Sequence, residues 1–301
     1  LRPRKRLNFQ HLHTMFHMQV ALLTEQMSAK KGLKMFGKQG AEAIIAEMNQ
    51  VHYRKVIKPV MARNMTREEK RAALHYLMFL KQKRCGKIKA RGCADGRKQR
   101  LWKTKEETSA PTVRTESVIL SCAIDAKEGR KVMTVDVPGA FMHADIDELV
   151  HVKFEGELAE LLMKVDEKLY RKYMTTESVR GKTKKVIYVE LTKALYGTLQ
   201  GALLFWKNLS SFLISELGFK LNPYDSCVAN KTIKGKQCTI LWHVDDLKIS
   251  HVDETVLEKI TRKLDKKYGT KEAPLTANWG SECHLLRRCY SPWSSQTTVG
   301  V

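Results

Sequence analysis

The stretch "TILWHVDDLKISHVD" (239–253) decides how the chain is read. Its flanks, "TILWH" and "LKIS", are β-formers that should pair as a hairpin. Two adjacent acids, Asp245 and Asp246, sit at the tip. Ionised carboxylates side by side repel, which water screens at an exposed turn. A divalent cation would relieve the repulsion, since Mg²⁺ binds through one or two carboxylates plus phosphate oxygens. A solvated polar turn satisfies the same residues, so the hairpin alone leaves both readings open.

"TVDVPGAF" (134–141) adds a second acid. "KVMTVDV" (131–137) reads as a strand stopped by Pro138-Gly139, with Asp136 near its end. An acid at the edge of a buried strand is costly without a partner. "GALLFWKNLSSFLISELGF" (201–219) reads as an amphipathic helix, with Leu203, Trp206, Leu209, Leu213 and Leu217 at helical spacing and Gly218 closing it. Three short strands follow at 226–232, 237–244 and 247–252, then a helix over 254–267 with Asp253 as N-cap. Strand, helix, strand, strand, helix over 131–267 is a split β-α-β order of the ferredoxin-like kind. In such a sheet the 131–137 strand and the 237–252 hairpin are neighbours. Asp136, Asp245 and Asp246 would then converge on a pair of metal ions suited to phosphoryl transfer. Gln200, polar at the mouth of an apolar helix, could bond a substrate sugar or base, or simply begin the helix.

Upstream, helices are predicted over 38–51, with Ile44, Ile45 and Met48 on one side, and over 65–86. The second rests on a Thr66–Glu69 capping box, with Leu74, Leu77, Met78 and Leu80 continuing it and Gly86 as stop. "KQKRCGKIKARGCADGRKQRLWKTK" (81–105) carries eleven Lys/Arg against one Asp. Its basic and apolar residues interleave, which predicts an ordered β-ribbon with a turn at Ala94-Asp95-Gly96. A helix over 120–129 ending at Gly129 and a strand over 184–191 complete the reading, with mixed helix and loop over "KFEGELAELLMKVDEKLYRKYMTTESVRGKT" (153–183).

The 301 residues are 43% hydrophobic, enough for a sizeable core. The 54 Lys+Arg against 32 Asp+Glu give a net charge of +22. That excess costs self-repulsion and fits a polyanionic partner, nucleic acid before anionic membrane. The seven Cys are scattered, with no C-x-x-C pair, which argues against a disulfide framework or zinc ribbon and fits a reducing intracellular compartment. No run reaches the roughly 18 apolar residues of a membrane span, and no membrane partner is expected. The first residue is Leu, so the chain is expected to be a piece of a longer product.

Together these blocks resemble the reverse transcriptase of copia-type (pseudoviral) LTR retrotransposons. The family's D-V-x-x-A-F, L-Y-G-L-K-Q-x-P and Y-V-D-D-L blocks are similar to "DVPGAF" (136–141), "LYGTLQGA" (195–202) and "HVDDL" (243–247), in the same order. "KIKARGCADGRKQR" (87–100), "EETSAPTVRTESV" (106–118) and "KKYGTKEAPLT" (266–276) resemble further family segments, so the likeness covers about 25–278. It implies an α+β fold of polymerase fingers and palm, the palm a split β-α-β (ferredoxin-like) antiparallel sheet backed by helices, the thumb absent or incomplete.

The resemblance also implies roles. Asp136, Asp245 and Asp246 become the catalytic metal-binding triad, with Val137 lending a backbone carbonyl. Phe141 becomes the aromatic that excludes a 2′-hydroxyl, Gln200 lies near the incoming sugar, and Lys89 and Arg91 near the triphosphate. Two Mg²⁺ (or Mn²⁺) are the implied cofactors. The implied partners are an RNA or DNA template with primer, dNTP and the rest of a Gag-Pol polyprotein. The implied place is a cytoplasmic virus-like particle or the nucleus. The chain departs from the pattern at His243 (family Tyr), Leu199 (Lys) and Ala202 (Pro).

The expected domains are a poorly ordered 1–30, a helical lead-in and basic fingers over 31–130, a palm over 131–278 and an aberrant tail over 279–301. Cys283, His284 and Cys289 in the tail lack a fourth ligand at knuckle spacing. Codons compatible with "WGSECHLLRR" (279–288), read one nucleotide later, yield "GEVSATYLGG" and restore the family's Y-L-G. The tail is therefore expected to be a frameshift product. Two functions follow: a reverse transcriptase fragment joining dNTP to a primer 3′-hydroxyl, or an inactive relic that keeps only sequence-independent nucleic-acid binding.

Overall fold

The computed structural model describes residues 26–83, 85–179 and 181–280. Most of the 1–30 segment and of the 279–301 tail, with Cys283, His284 and Cys289, lies outside the described residues. In chain order the strands are β1 (Met27–Ser28), β2 (Ile57–Val60), β3 (Leu74–Gln82), β4 (Ile88–Ala94), β5 (Lys131–Asp136), β6 (His151–Glu155), β7 (Thr175–Val179), β8 (Lys182–Leu191), β9 (Lys220–Leu221), β10 (Val228–Ile233), β11 (Lys236–His243), β12 (Asp246–His251) and β13 (Thr276–Trp279). The α-helices are α1 (Ala29–Tyr53), α2 (Arg67–Ala72), α3 (Thr115–Glu128), α4 (Glu157–Val165), α5 (Glu167–Tyr170), α6 (Gly201–Ser215) and α7 (Glu254–Tyr268). The fold is mixed α+β, in two compact units: residues up to Leu101 with Asp147–Thr198, and Trp102–Ile146 with the residues from Leu199 onward. The expected palm span 131–278 is thus crossed by 147–198, whose strands pair in the first unit. No helix among the described residues is long and apolar enough to cross a membrane.

In the first unit a sheet runs β1-β3-β6-β8-β2, with β4 on β3 and β7 on β8. Here the predicted helix over 65–86 is corrected. Its start is right, because the Thr66–Glu69 capping box forms, but α2 stops at Ala72. Leu74, Tyr76, Met78 and Leu80 are then buried at alternate positions of β3. The apolar run 74–80 can present either a helical stripe or a strand face. Pairing with β4 over seven register positions selects the strand. Gly86 lies in the connection between β3 and β4 and is no helix stop. The predicted ribbon is β4, which buries Ala90, Gly92 and Ala94 and exposes Lys89 and Arg91. The helix predicted at 38–51 is the second half of α1, whose Ile44, Met48 and Val51 face the core, while Ile45 is half-buried.

The loop 194–198 docks on the end of β4. The Ala94 N–H donates to the Tyr196 carbonyl at 2.7 Å. At Gly197, with φ +88, a Cβ would lie 2.0 Å from the Ala94 carbonyl oxygen, and a Cβ on Gly96 would lie 2.2 Å from that of Gly197. The two glycines let backbone approach backbone where any side chain would hold the segments apart.

In the second unit an antiparallel sheet runs β13-β5-β12-β11-β10-β9. The predicted neighbours are neighbours: β12 lies between β5 and β11. One face is apolar, with Met133 and Val135 of β5, Leu247 and Ile249 of β12, and Ile240 and Trp242 of β11. It belongs to one core with α6 and α7. Helix α7 contributes Val256, Leu257, Ile260, Leu264 and Tyr268 at helical spacing, and the Asp253 side chain caps it by accepting from the Thr255 N–H at 2.8 Å. The buried stripe of α6 centres on Phe205, Leu209 and Phe212, so Leu203 and Trp206 are only half-buried. Helix α3 ends, as predicted, at Gly129 in left-handed conformation.

The glycine contacts make a test. Gly197→Ala should destabilise the protein by about 3 kcal/mol or more, because it adds a backbone clash to a strained φ. Gly86→Ala, with φ +81 and nothing within 4 Å of the new Cβ, should cost only about 1 kcal/mol. Urea unfolding of both variants measures the difference, and equal losses would refute the docking account.

Candidate active site

Asp136 and Asp246 are direct cross-strand partners in the β5–β12 ladder. Directly opposed residues share a face with Cβ atoms about 5 Å apart. Strand period extends the row: His243 of β11 faces Asp246 on its other side, and Thr276 of β13 faces Asp136. Four polar side chains therefore line one end of the sheet, on the face opposite Val135, Leu247 and Trp242. Asp136, His243 and Asp246 are half-buried.

Val244 and Asp245 form the two-residue turn between β11 and β12. Val244 has φ +58, a left-handed conformation unusual for a β-branched residue. Asp245 has no positive φ, so the turn follows the II′ pattern, where glycine is the usual first residue. The turn is held from β5: the Val137 N–H donates to the Asp245 carbonyl at 2.9 Å. Pro138 follows without an N–H to extend the ladder, and Gly139 turns the chain with φ +64.

One row along the same face lies Lys248, opposite Thr134 and only 2% exposed. Its ammonium donates to Ser121 Oγ at 2.6 Å and pairs with the Asp125 carboxylate, both on α3. The pair ties α3 to β12 two residues from Asp246. Sequence reasoning missed it, although period-2 alternation from Asp246 already puts Lys248 on the same face.

The other expected site residues fall as follows. Val137 is buried. Phe141 is half-buried in a 3₁₀ turn, Ala140–His143, its ring 6.5 Å from that of Phe205. Gln200 is 1% exposed at the start of α6, its carbonyl accepting from the Leu204 N–H at 2.9 Å. Lys89 and Arg91 belong to the first unit, on the exposed side of β4. There the Arg91 guanidinium lies 5.1 Å over the Tyr196 ring, a partner the sequence reading did not assign.

The structure brings Asp136 and Asp246 together and sets Asp245 one residue away on the turn. Among the described residues no group of three or more His, Cys, Asp or Glu side chains is placed to hold a metal ion. The opposed pair does fit a hard divalent cation. Its donors are all carboxylate oxygens, and two like charges directly opposed are destabilising without a counter-charge.

Two stability measurements test this geometry. Val244→Gly should raise unfolding stability by about 1 kcal/mol, since relief of strain outweighs the added chain entropy of glycine. Lys248→Met should cost about 3 kcal/mol or more by leaving Asp125 buried and unpaired, and Asp125→Leu added to it should restore most of the loss. A Lys248→Met protein as stable as the parent would contradict the buried pair.

Comparison with known proteins gives the setting. A family model described as "Reverse transcriptase (RNA-dependent DNA polymerase)" matches residues 53–157. That span contains Lys89, Arg91, Asp136, Val137 and Phe141. Over 198 residues, 66% of the chain, the sequence is 25% identical to the Gag-Pol polyproteins of transposons Ty1-DR5, Ty1-LR2 and Ty1-ML2 of Saccharomyces cerevisiae. The matched part spans 10% of the length of each. Over these spans the chain is similar to a reverse transcriptase model and to retrotransposon Gag-Pol polyproteins.

Proposed function

We propose that the chain is the fingers and palm of an RNA-directed DNA polymerase from a retrotransposon polyprotein, joining dNTP to a primer 3′-hydroxyl on a nucleic-acid template. The observation that carries this reading is the opposed pair Asp136 and Asp246, with the Asp245 carbonyl held by Val137. The second unit is read as the palm, its antiparallel sheet and helices α6 and α7 following the split β-α-β order. The first unit is read as the fingers, and Lys89 and Arg91 as its cations for the triphosphate. The net charge of +22 supports a polyanionic template and primer. The matched polyproteins support a Gag-Pol origin.

Asp136, Asp245 and Asp246, with the Val137 carbonyl, would hold Mg²⁺. When bound, the metal supplies charge neutralisation on the triphosphate and a more acidic primer hydroxyl. The chain's own part is placement. The β5–β12 register presents two carboxylates at one end of the sheet, and the Val137–Asp245 bond keeps the turn beside them. Phe141, on the turn just after β5, is assigned the exclusion of a ribose 2′-hydroxyl. Gln200 is assigned beside the incoming sugar. Its near-complete burial means that the start of α6 must open for contact.

A second reading is an inactive relic with sequence-independent binding only. It is favoured by His243 in place of the family's Tyr. Primer extension on an RNA template with Mg²⁺ separates the two. The polymerase reading expects extension that Asp246→Asn lowers about a thousandfold, the several kcal/mol of a lost metal ligand. Equal signal from both proteins sinks it, and salt-dependent binding without extension establishes the relic.

A further inference from the structure

The 3₁₀ turn that carries Phe141 is a single turn, Ala140–His143. The Met142 N–H donates to the Gly139 carbonyl at 2.9 Å and the Ala144 N–H to the Phe141 carbonyl at 3.1 Å. Its position is set by ties from outside. Asn208 of α6 donates its side-chain amide to the His143 carbonyl at 3.4 Å. The Asn208 Oδ1 in turn accepts from the Tyr268 hydroxyl at 3.0 Å, which orients the amide so that its N–H₂ faces His143. Tyr268 also meets the His143 ring edge-on at 5.1 Å, while His143 Nε2 lies 3.2 Å from the Pro138 carbonyl and closes the turn.

A second route joins the same residues through rings. Tyr268 packs against Phe205 at 6.1 Å, and Phe205 against Phe141 at 6.5 Å. Tyr268 is fully buried at the last residue of α7, with Phe212 on another side. Burial pushes its phenol well above the usual range, so the hydroxyl stays a neutral donor. A phenol and an amide in a core are costly unless both are satisfied. Here the bonds run in series, from Tyr268 to Asn208 and from Asn208 to one carbonyl of the Phe141 turn.

We infer that Asn208 and Tyr268 are positioning residues for sugar selection: their hydrogen bond, passed to the His143 carbonyl, sets how far Phe141 stands from Asp136. The inference rests on the polymerase reading and on Phe141 facing the nucleotide sugar. Excluding one hydroxyl is a matter of less than 1 Å, a scale on which misplacement costs large factors in rate or affinity. Loosening the turn admits the ribose oxygen.

The test is equilibrium binding of dGTP and GTP to the full 301-residue chain on a template–primer under Ca²⁺, read as the ratio of the two affinities. Tyr268→Phe keeps the rings and removes one oxygen; Asn208→Leu keeps the volume and removes the amide. Both should lower the dGTP-over-GTP preference about fivefold, the fold-change of one lost hydrogen bond. Phe141→Ala should lower it further, and Tyr268→Phe added to Phe141→Ala should change the ratio no more. A merely structural role weakens both nucleotides alike and leaves the ratio fixed. An unchanged ratio in Tyr268→Phe, with melting temperature confirming the fold, overturns the inference while Phe141→Ala still lowers the ratio. An unchanged ratio in Phe141→Ala, or no nucleotide bound by the parent chain, overturns the polymerase reading as well.

Discussion

The register of β5 against β12 is the constraint on which the candidate site depends. A strand alternates its side chains with a period of two, so a one-residue slip sends every side chain to the other face. In the register found, Val135, Leu247, Met133 and Ile249 enter the core, and Asp136 and Asp246 meet on the opposite face. The apolar residues hold the acids in place. Moving Asp246 away from Asp136 by one position would drag Leu247 and Ile249 out of a core shared with α6 and α7, a penalty of several kcal/mol. The repulsion between two carboxylates is the smaller effect and is tolerated.

The same alternation explains the ion pair between Lys248 and Asp125. A charged residue one row from Asp246 must occupy the polar face, and α3 covers it there. Buried charges need partners more than they add stability. The role of this pair is to hold α3 at a defined place on the sheet, with Ser121 taking a further bond of the ammonium. The turn beside it is braced differently. Val244 carries a strained φ, and the Val137 N–H holds the Asp245 carbonyl, so the acids sit on a turn whose shape is imposed by β5.

Where sequence reading erred, the error has a physical source. "ALHYLMFLKQ" (73–82) follows a sound capping box, and its apolar residues satisfy both periods. Nothing local separates helix from strand there. The basic ribbon that pairs with it is next in the chain, and that pairing makes it a strand. Residues 147–198 show the same limit. Their strands β6 and β8 join β3 and β2, partners far away in sequence, while the segments on either side, 102–146 and the residues from Leu199 onward, build the second unit. Elements closed by local chemistry were legible: the Asp253 cap, the Gly129 stop and the tight β11–β12 hairpin.

The sequence by itself determined the chemistry on offer: two adjacent acids at a hairpin tip, a third before a Pro-Gly break, a strongly basic chain, and blocks that resemble those of a reverse transcriptase in their order. Those properties reside in residue types and short spacings, which survive without coordinates. Only the tertiary structure decided that Asp136 faces Asp246 and not Asp245, that Lys248 is buried against Asp125, and that Asn208 and Tyr268 close on the turn after β5. Each of these joins residues 60 to 125 positions apart, from Tyr268–Asn208 to Tyr268–His143. Such contacts are set by how sheets and helices share one core, a property of the whole packing that no short stretch encodes.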